Sequence, residues 1–390
     1  MVTLANYDGR EQAYVKHLLL ESYIERLAHK VASKFDHVVY VDGFAGPWLS
    51  ADQKFGDTSF GIALGSLRRA KSTWKDLNRD VSMSAFLVEK NSAAYRDLET
   101  VPKRFPDIDV RTYRGDFIEL MPRILSEIPS NAFVFFFIDP KGWKIPLEKL
   151  KPLLERENSE VIFNFMFDFI NRAASIEDPA VRDGLNELMP HGEWRKIFDA
   201  AKHEIKNSLD ADGRKRILVE AFSTNLKHFG NFKYVVETTV QKPTLDRPFY
   251  CLFYATRSAT GIDVFRSSQI AALEGQSALR ASSKIQRTES ASGQREMFLS
   301  LDEMAPSEMS ALLKSESDAA ELRILEIVKA NTDILYEDLW PIVLSRNLIR
   351  RKDVNSIAAR LRAEGKLAFP DWEPRKRVPQ PHYRVRLKDA

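Results

Sequence analysis

The stretch Val38–Trp48, VVYVDGFAGPW, constrains the fold of this chain more than any other. Its first four residues are β-branched or aromatic and carry no charge, which predicts a buried strand ending at Asp42. A turn of small residues follows, in which backbone N–H groups can approach a ligand closely. An acid at the end of a strand before a glycine turn is typical of doubly wound sheets that hold a nucleoside-bearing cofactor. An ordinary turn from a strand into a loop fits the same residues equally well.

Strands and helices alternate through the first two thirds of the chain. After the first strand, further strands are predicted at Ser84–Val88, Val110–Tyr113, Ala132–Ile138 and Glu160–Phe165, with helices between them. This alternation predicts an α/β fold, a doubly wound and mostly parallel sheet of the Rossmann-like type. A helical insertion is predicted at about 173–229. Two closing strands, Tyr234–Val240 and Phe249–Thr256, are joined by a short link and predict an antiparallel edge.

The remaining residues predict two further segments. Residues 1–272 form the α/β domain, and residues 273–317, rich in Ser, Gln, Glu and Ala, are predicted to be a linker or a helical arm. Residues 318–390 regain helical periodicity, with helices at Ala320–Lys329, Tyr336–Arg346 and Asp353–Glu364, the last with Asp353 as its N-cap. Two short strands around a basic tip follow, and three helices before a β-hairpin describe a winged helix-turn-helix domain.

Charge is distributed unevenly along the chain. From Pro341 to Ala390 there are 13 Lys/Arg and 5 Asp/Glu, a net charge of +8, whereas the rest of the chain carries −5. This asymmetry predicts an anionic partner for the C-terminal domain, with nucleic acid the first candidate and DNA favoured over RNA. The residues expected to contact nucleic acid, on the third helix and the tip of the wing, are Arg350, Arg351, Lys352, Asn355, Arg360, Arg375, Lys376 and Arg377. A winged helix that contacts a protein is the alternative.

Each of the first four predicted strands ends in an acid. These residues are Asp42, Glu89, Asp116 and Asp139. Because parallel strands point the same way, the four carboxylates are expected at one edge of the sheet. Glu89 is suited to bind both ribose hydroxyls of a cofactor, and Asp116 to accept a hydrogen bond from an adenine amino group. Acids also cap the helices that follow strands, which gives the same pattern without a cofactor.

These residues resemble the motifs of S-adenosylmethionine-dependent methyltransferases of class I. DGFAGPW is similar to their first motif, Glu89 to the second acidic position, Gly115-Asp116 to the third and Asp139-Pro140 to the start of the fourth. FFFIDPKGW and NFMFDFINR more specifically resemble the three-Cys-motif partner protein (TcmP) family, over approximately residues 10–270. The resemblance implies S-adenosylmethionine as cofactor, bound by Asp42, Gly43, Phe44, Ala45, Gly46, Glu89 and Asp116. It also implies a three-Cys-motif protein as partner. Trp48 departs from the family pattern, which has glycine there.

Two groups of residues are candidates for catalysis. Methyl transfer to an amine needs alignment and an acceptor for the amine, and Asp139 is the first choice, with Pro140 beside it and Trp143 to stack on a base. Asn164, Asp168, Asn171 and Arg172 come at and after the end of the fifth strand and form the second group, of which Asn164, Asp168 and Arg172 are the catalytic candidates. A helix cap for Asp139 and a solvated polar face for the second group are the alternatives. A solvated helix face is also favoured for Lys16, which precedes the first strand.

Several kinds of site are excluded or disfavoured. The single cysteine, Cys251, lies in the apolar stretch FYCLFYAT and is predicted to be an inert core residue. The histidines show no paired metal spacing, so no metal site is predicted, and neither is a signal peptide or a membrane span. The prediction is a cytoplasmic methyltransferase-like protein that acts on an exocyclic amino group of nucleic acid. The alternative is a catalytically degenerate subunit that binds nucleic acid or a partner protein.

Overall fold

The computed structural model describes residue 7 and residues 10–46, 50, 52, 55–204, 211–241, 247–292 and 301–388. Contacts divide the chain into two units, Met1–Arg257 and Ser258–Ala390. The boundary follows the last strand of the large sheet. The second unit begins with a helix, Ala259–Ser292, which continues into the predicted linker or helical arm at 273–317.

The first unit is built on a seven-stranded sheet. Its strands are β1 (His37–Asp42), β2 (Ser82–Glu89), β3 (Asp109–Arg114), β4 (Phe133–Ile138), β5 (Ser159–Phe165), β6 (Tyr234–Gln241) and β7 (Pro248–Thr256). They lie in the order β3-β2-β1-β4-β5-β7-β6. The first five are parallel, and β7 is antiparallel to both β5 and β6. The predicted mostly parallel sheet is confirmed, and its order reverses between β1 and β4, the switch point where such sheets bind ligands.

Helices cover both faces of this sheet. They are α1 (Glu11–Ala32), α2 (Ser59–Asp76), α3 (Ser92–Leu98), α4 (Val101–Arg104), α5 (Phe117–Glu127), α6 (Lys151–Leu154), α7 (Phe167–Ala173), α8 (Pro179–Leu188), α9 (Trp194–Glu204) and α10 (Ala211–Gly230). On one face Tyr23 of α1 packs on Phe135, with ring centroids 5.6 Å apart. On the other, Phe222 of α10 packs on Phe163 at 4.8 Å. Aromatic side chains of alternating strand positions therefore anchor a helical layer on each side.

Two regions expected to be helical are divided into shorter elements. Between β4 and β5, where a helix is expected, the chain forms a 3-10 turn, Leu147–Leu150, followed by the single turn α6, which has a proline in its first turn. Proline lacks the N–H that a longer continuous helix would need there. The predicted insertion at 173–229 contains α8, α9 and α10, and Gly192 with φ +89° lies in the turn between α8 and α9.

The second unit contains four helices and a small sheet among the residues described. These elements are α11 (Ala259–Ser292), α12 (Leu301–Asn331), β8 (Ile334–Leu335), α13 (Tyr336–Arg346), α14 (Arg351–Ala363), β9 (Leu367–Ala368) and β10 (Arg384–Leu387). The strands lie in the order β8-β10-β9. Val354, Ile357 and Leu361 of α14 are buried, as their spacing predicts. Nowhere in the described ranges does a helix combine the length and apolarity needed to cross a membrane.

The start of α14 corrects one prediction. Asp353 is the third residue of the helix, not its N-cap, and its Oδ2 accepts a hydrogen bond from the backbone N–H of Arg350 at 2.8 Å. An acid at this position satisfies an N–H that the helix leaves unpaired, so the helix extends two residues further upstream. At the other end Gly365 has φ +75°, a left-handed conformation that glycine adopts without strain.

Candidate functional site

A cavity of about 940 Å³ lies at the carboxyl ends of the parallel strands. Its wall includes Glu89 at the end of β2, Asp116 after β3 and Asp139 after β4, together with residues of α1 and the turn after β1. This position spans the point where the strand order reverses, and the volume is within the range of ligand pockets. Three of the four predicted acids therefore line one cavity.

The fourth acid, Asp42, lies beneath the turn and not in the cavity wall. It is 1% exposed. Its Oδ1 accepts a hydrogen bond from the backbone N–H of Phe44, and its Oδ2 accepts one from the Tyr40 hydroxyl, both at 3.0 Å. Burial raises the pKa of Asp42 to about 7, against the opposing effect of these hydrogen bonds. Asp42 therefore shapes the turn that carries the cavity residues.

The turn after β1 is tied to both neighbouring strands. The N–H of Gly43 donates to the carbonyl of Phe137 at 3.2 Å, and the N–H of Ala45 donates to the carbonyl of Val88 at 2.8 Å. A Cβ at Gly43 would lie 2.8 Å from the Phe117 ring, so only glycine fits there. Gly43, Phe44 and Gly46 line the cavity, whereas Ala45 is buried behind them. Trp48 lies outside the described residues.

Glu89 and Asp116 use their carboxylates differently. Asp116 caps α5 through Oδ1, which accepts from the N–H of Ile118 at 3.0 Å, and its Oδ2 forms an ion pair with Lys90 at 3.1 Å. Glu89 accepts through Oε1 from the N–H of Asn91 at 2.5 Å. Its Oε2 has no partner in the part of the chain that is described. Glu89 thus keeps an acceptor for a ligand, while Asp116 serves as a helix cap within the cavity wall.

Asp139 joins three elements of the fold. Lys16 of α1 lies 2.5 Å from its Oδ2, and the Nδ2 of Asn164 in β5 donates to its Oδ1 at 2.5 Å. Lys16 is therefore part of the site, and the solvated helix face favoured for it is wrong. The only signal in the sequence was the position of Lys16 in the amphipathic helix that precedes β1. That position does not reveal a partner 123 residues away.

Trp143 forms an aromatic part of the cavity wall. Its ring lies over α8, where a Cβ at Gly184 would be 2.5 Å from the ring. The loop that carries it also places Pro140 and Lys141 in the wall. Burial lowers the pKa of Lys141, and the nearby carboxylates Glu89 and Asp139 oppose this shift. The missing side chain at Gly184 thus provides the space in which the indole packs.

The second predicted catalytic group is divided. Asn164 lines the cavity, but Asp168 and Arg172 do not. Asp168 is 5% exposed and pairs with Arg247 through Nε at 3.1 Å and with Arg172 at 3.6 Å. Because β5 ends at Phe165 and α7 begins at Phe167, Asp168 and Arg172 follow the helix and not the line of the strand. They form an ion-pair cluster with Arg247.

The residues predicted to contact nucleic acid fall into two groups. Four have partners within their own unit: Arg350 pairs with Glu274 at 3.3 Å, Arg351 lies 4.3 Å from the Trp340 ring centroid, Asn355 accepts from the Tyr336 hydroxyl at 2.7 Å, and Arg360 pairs with Glu321 at 2.7 Å. The other four, Lys352, Arg375, Lys376 and Arg377, have exposed side chains, and Lys376 is 4.0 Å from Glu373. The segment Arg375–Arg377, between β9 and β10, is therefore the most accessible basic segment of the predicted set.

Comparison with known proteins finds similar solved structures at low sequence identity. No family model and no curated protein matches the chain. Among solved structures, the chain is similar to protein LPL1258 from Legionella pneumophila str. Philadelphia 1, described as family-model DUF519, with 10% identity over 66% of this chain and 86% of that chain and a TM-score of 0.35. It is also similar to the YcgJ protein from Bacillus subtilis, with 14% identity over 60% of this chain and 98% of that chain and a TM-score of 0.24. TM-scores this low support no functional argument, so the fold assignment depends on the strand order of this chain itself.

Proposed function

We propose that the first unit is an S-adenosylmethionine-dependent methyltransferase that acts on an exocyclic amino group of nucleic acid. The observation that supports this proposal is the cavity at the sheet's switch point, where Glu89, Asp116 and Asp139 lie beside the glycine turn after β1. The order and spacing of these residues also carry the resemblance to methyltransferases of class I.

The residues in the cavity fit this cofactor. Oε2 of Glu89 is available to a ribose hydroxyl, and Gly43, Phe44 and Gly46 present a narrow turn to the ligand. When bound, S-adenosylmethionine supplies a methyl group on a positively charged sulfur. Asp42 contributes indirectly, because its two hydrogen bonds fix the turn.

The acceptor end of the site is formed by Asp139, Pro140, Trp143 and Asn164. Amine methylation needs the nucleophile held in line with the methyl group, so orientation is the main task of these residues. Asp139 and Asn164 offer oxygen acceptors to an amino group, and Trp143 offers a ring face on which a base stacks. The ion pair with Lys16 holds Asp139 in place.

The second unit is proposed to be a winged helix that binds nucleic acid, with DNA favoured over RNA. Its three-stranded sheet and helices α12, α13 and α14 have the element order of that domain, and its basic wing tip is exposed. A three-Cys-motif protein is the proposed partner, from the resemblance to the TcmP family, and the cytoplasm is the proposed location.

A non-catalytic function is the second candidate. Trp48 stands where the family has glycine, and an indole there restricts the approach of the backbone to a cofactor. In that case the first unit would serve as a degenerate subunit that binds nucleic acid or a partner protein.

Calorimetric titration with S-adenosylmethionine separates the two candidates. We expect a Kd in the micromolar range for the full chain and roughly tenfold weaker binding for Glu89→Gln, which weakens a hydrogen bond to a charged acceptor. Glu119→Gln is the matched control, since Glu119 is exposed on α5 outside the cavity. A full chain that binds no cofactor would favour the degenerate subunit.

A further inference from the structure

The side-chain amide of Asn164 has a fixed orientation. Its Nδ2 donates to Oδ1 of Asp139 at 2.5 Å, and an ionised carboxylate only accepts hydrogen bonds. The ammonium group of Lys16, which can only donate, bonds to the other carboxylate oxygen, Oδ2, at 2.5 Å. The amide nitrogen of Asn164 must therefore face Asp139, and its Oδ1 faces away from the carboxylate.

This Oδ1 lacks a hydrogen-bond partner among the residues described. Asn164 is 3% exposed and lines the cavity. Buried side-chain oxygens are nearly always paired, so an unpaired one in a cavity wall indicates a group that a ligand satisfies. Met166 covers the amide, with its sulfur 3.6 Å from Nδ2, and its unbranched side chain can move aside when a ligand enters.

We infer that Asn164 determines specificity by accepting an N–H from the substrate's amino group at Oδ1, and that Lys16 is a positioning residue acting through Asp139. This inference deepens the proposed function and takes the class of ligand from it. A base with an oxo group in place of the amino group would present an oxygen to Oδ1 of Asn164. Two hydrogen-bond acceptors would then face each other, and neither would have a donor. Sites built to bind a donor reject analogues that lack it far more strongly than apolar pockets reject a size change.

Binding of matched nucleosides tests this inference. The probes are adenosine against inosine and cytidine against uridine, because each pair exchanges an amino for an oxo group. For the full chain we expect the amino member of at least one pair to bind at least tenfold more tightly. Asn164→Leu should bring that preference within about twofold, since it removes the acceptor while retaining the approximate volume.

Asn171→Leu is the matched control. Asn171 also has a buried, unpaired Oδ1, but it does not line the cavity, so its replacement should leave the preference unchanged. Lys16→Met should relax the preference because Asp139 loses its counter-ion, and Lys16→Arg should restore it. Thermal unfolding of each variant verifies that the fold is intact. A merely structural role for Lys16 would change stability without changing the preference ratio.

The outcomes separate this inference from the proposed function. Equal binding of both members of each pair, absence of binding, or a preference that persists in Asn164→Leu would overturn the inference. A preference that depends on Asn164 in a chain that binds no S-adenosylmethionine would sustain the inference and contradict methyl transfer. Methyl transfer by a chain whose preference for the amino group does not depend on Asn164 would sustain the proposed function and contradict the inference.

Discussion

The polar and charged side chains at the cavity of the first unit differ in their environment from those on the basic surface of the second. At the cavity, Asp42 and Asn164 are almost completely buried and bond to groups from the same or a neighbouring strand. In the second unit, Arg375 and Arg377 are exposed and lie between β9 and β10. A buried polar group without a partner costs free energy, whereas an exposed cation is already solvated by water. The first arrangement fixes geometry, and the second leaves charge available to a ligand.

Arg360 lies between these two cases. It is exposed like Arg375 and Arg377, yet it pairs with Glu321 of α12 at 2.7 Å and with Glu364 at 3.4 Å. A phosphate must compete with both carboxylates for this side chain. Local charge neutralisation, and not exposure alone, therefore separates the available basic residues from those already paired.

The largest expected effect concerns the buried carboxyl of Asp42. Its pKa is about 7 in the folded chain and 3.8 as the unperturbed value, so the folded state retains a proton that the unfolded state releases. The contribution of Asp42 to the free energy of unfolding should then fall by about 4 kcal/mol as the pH rises from about 4 to about 7, and level off above. Asp42→Asn should remove this contribution, measured as the difference between the variant and the unmodified chain in urea unfolding across the range.

Asp76→Asn, at an exposed position of α2, is the control and should keep the slope of the unmodified chain. If Asp42→Asn and the unmodified chain lose stability in parallel between these pH values, another group carries the proton. The contrast between buried and exposed charges would then not extend to Asp42.

The second effect concerns Asp168, which is buried but outside the cavity. Asp168→Asn removes the charge that pairs with Arg247 and Arg172. Because the Arg247 side chain is 49% exposed, we expect a loss of about 2 kcal/mol in the free energy of unfolding, less than for a fully buried pair. The Kd for S-adenosylmethionine should stay within about twofold, because none of these three side chains lines the cavity.

Asp183→Asn on the exposed side of α8 should change neither quantity. Calorimetry and urea unfolding on the same preparations measure both. If Asp168→Asn weakened cofactor binding tenfold at unchanged stability, Asp168 would belong to the cofactor site after all, contrary to its position outside the cavity.

The sheet and the positions of its acids could be predicted because strand periodicity fixes both at once. A parallel strand that ends in an acid places that acid at one edge, so Glu89, Asp116 and Asp139 could be grouped before any distance was known. Asp42 also lies at this edge, as the rule predicts. Its side chain, however, points beneath the turn and not into the cavity, where it accepts a hydrogen bond from the hydroxyl of Tyr40, two residues earlier on the same face of the strand.

Contacts between elements far apart in sequence could not be predicted in this way. The pairing of Lys16 with Asp139 depends on how α1 packs on the sheet. Similarly, the space that Gly184 leaves for Trp143 depends on where α8 crosses the loop after β4. In the second unit the burial of Val354 followed from helical spacing, but the ion pair of Arg360 required knowledge of α12. Periodicity determines which face is buried, and tertiary packing determines the partner.

The smallest effect distinguishes the available basic residues from the paired ones. Replacing Arg375, Lys376 and Arg377 together by Gln should weaken binding of duplex DNA about tenfold, or about 1.4 kcal/mol. It should also reduce the slope of log K against log salt by about 2 to 3, since each phosphate contact contributes about 0.9. Arg360→Gln should change that slope by less than about 0.5, because Glu321 already neutralises this side chain. Fluorescence anisotropy over a salt series measures both the affinity and its salt dependence. Equal slopes for the two variants would mean that DNA displaces Glu321 from Arg360, and that exposure alone decides which cations bind.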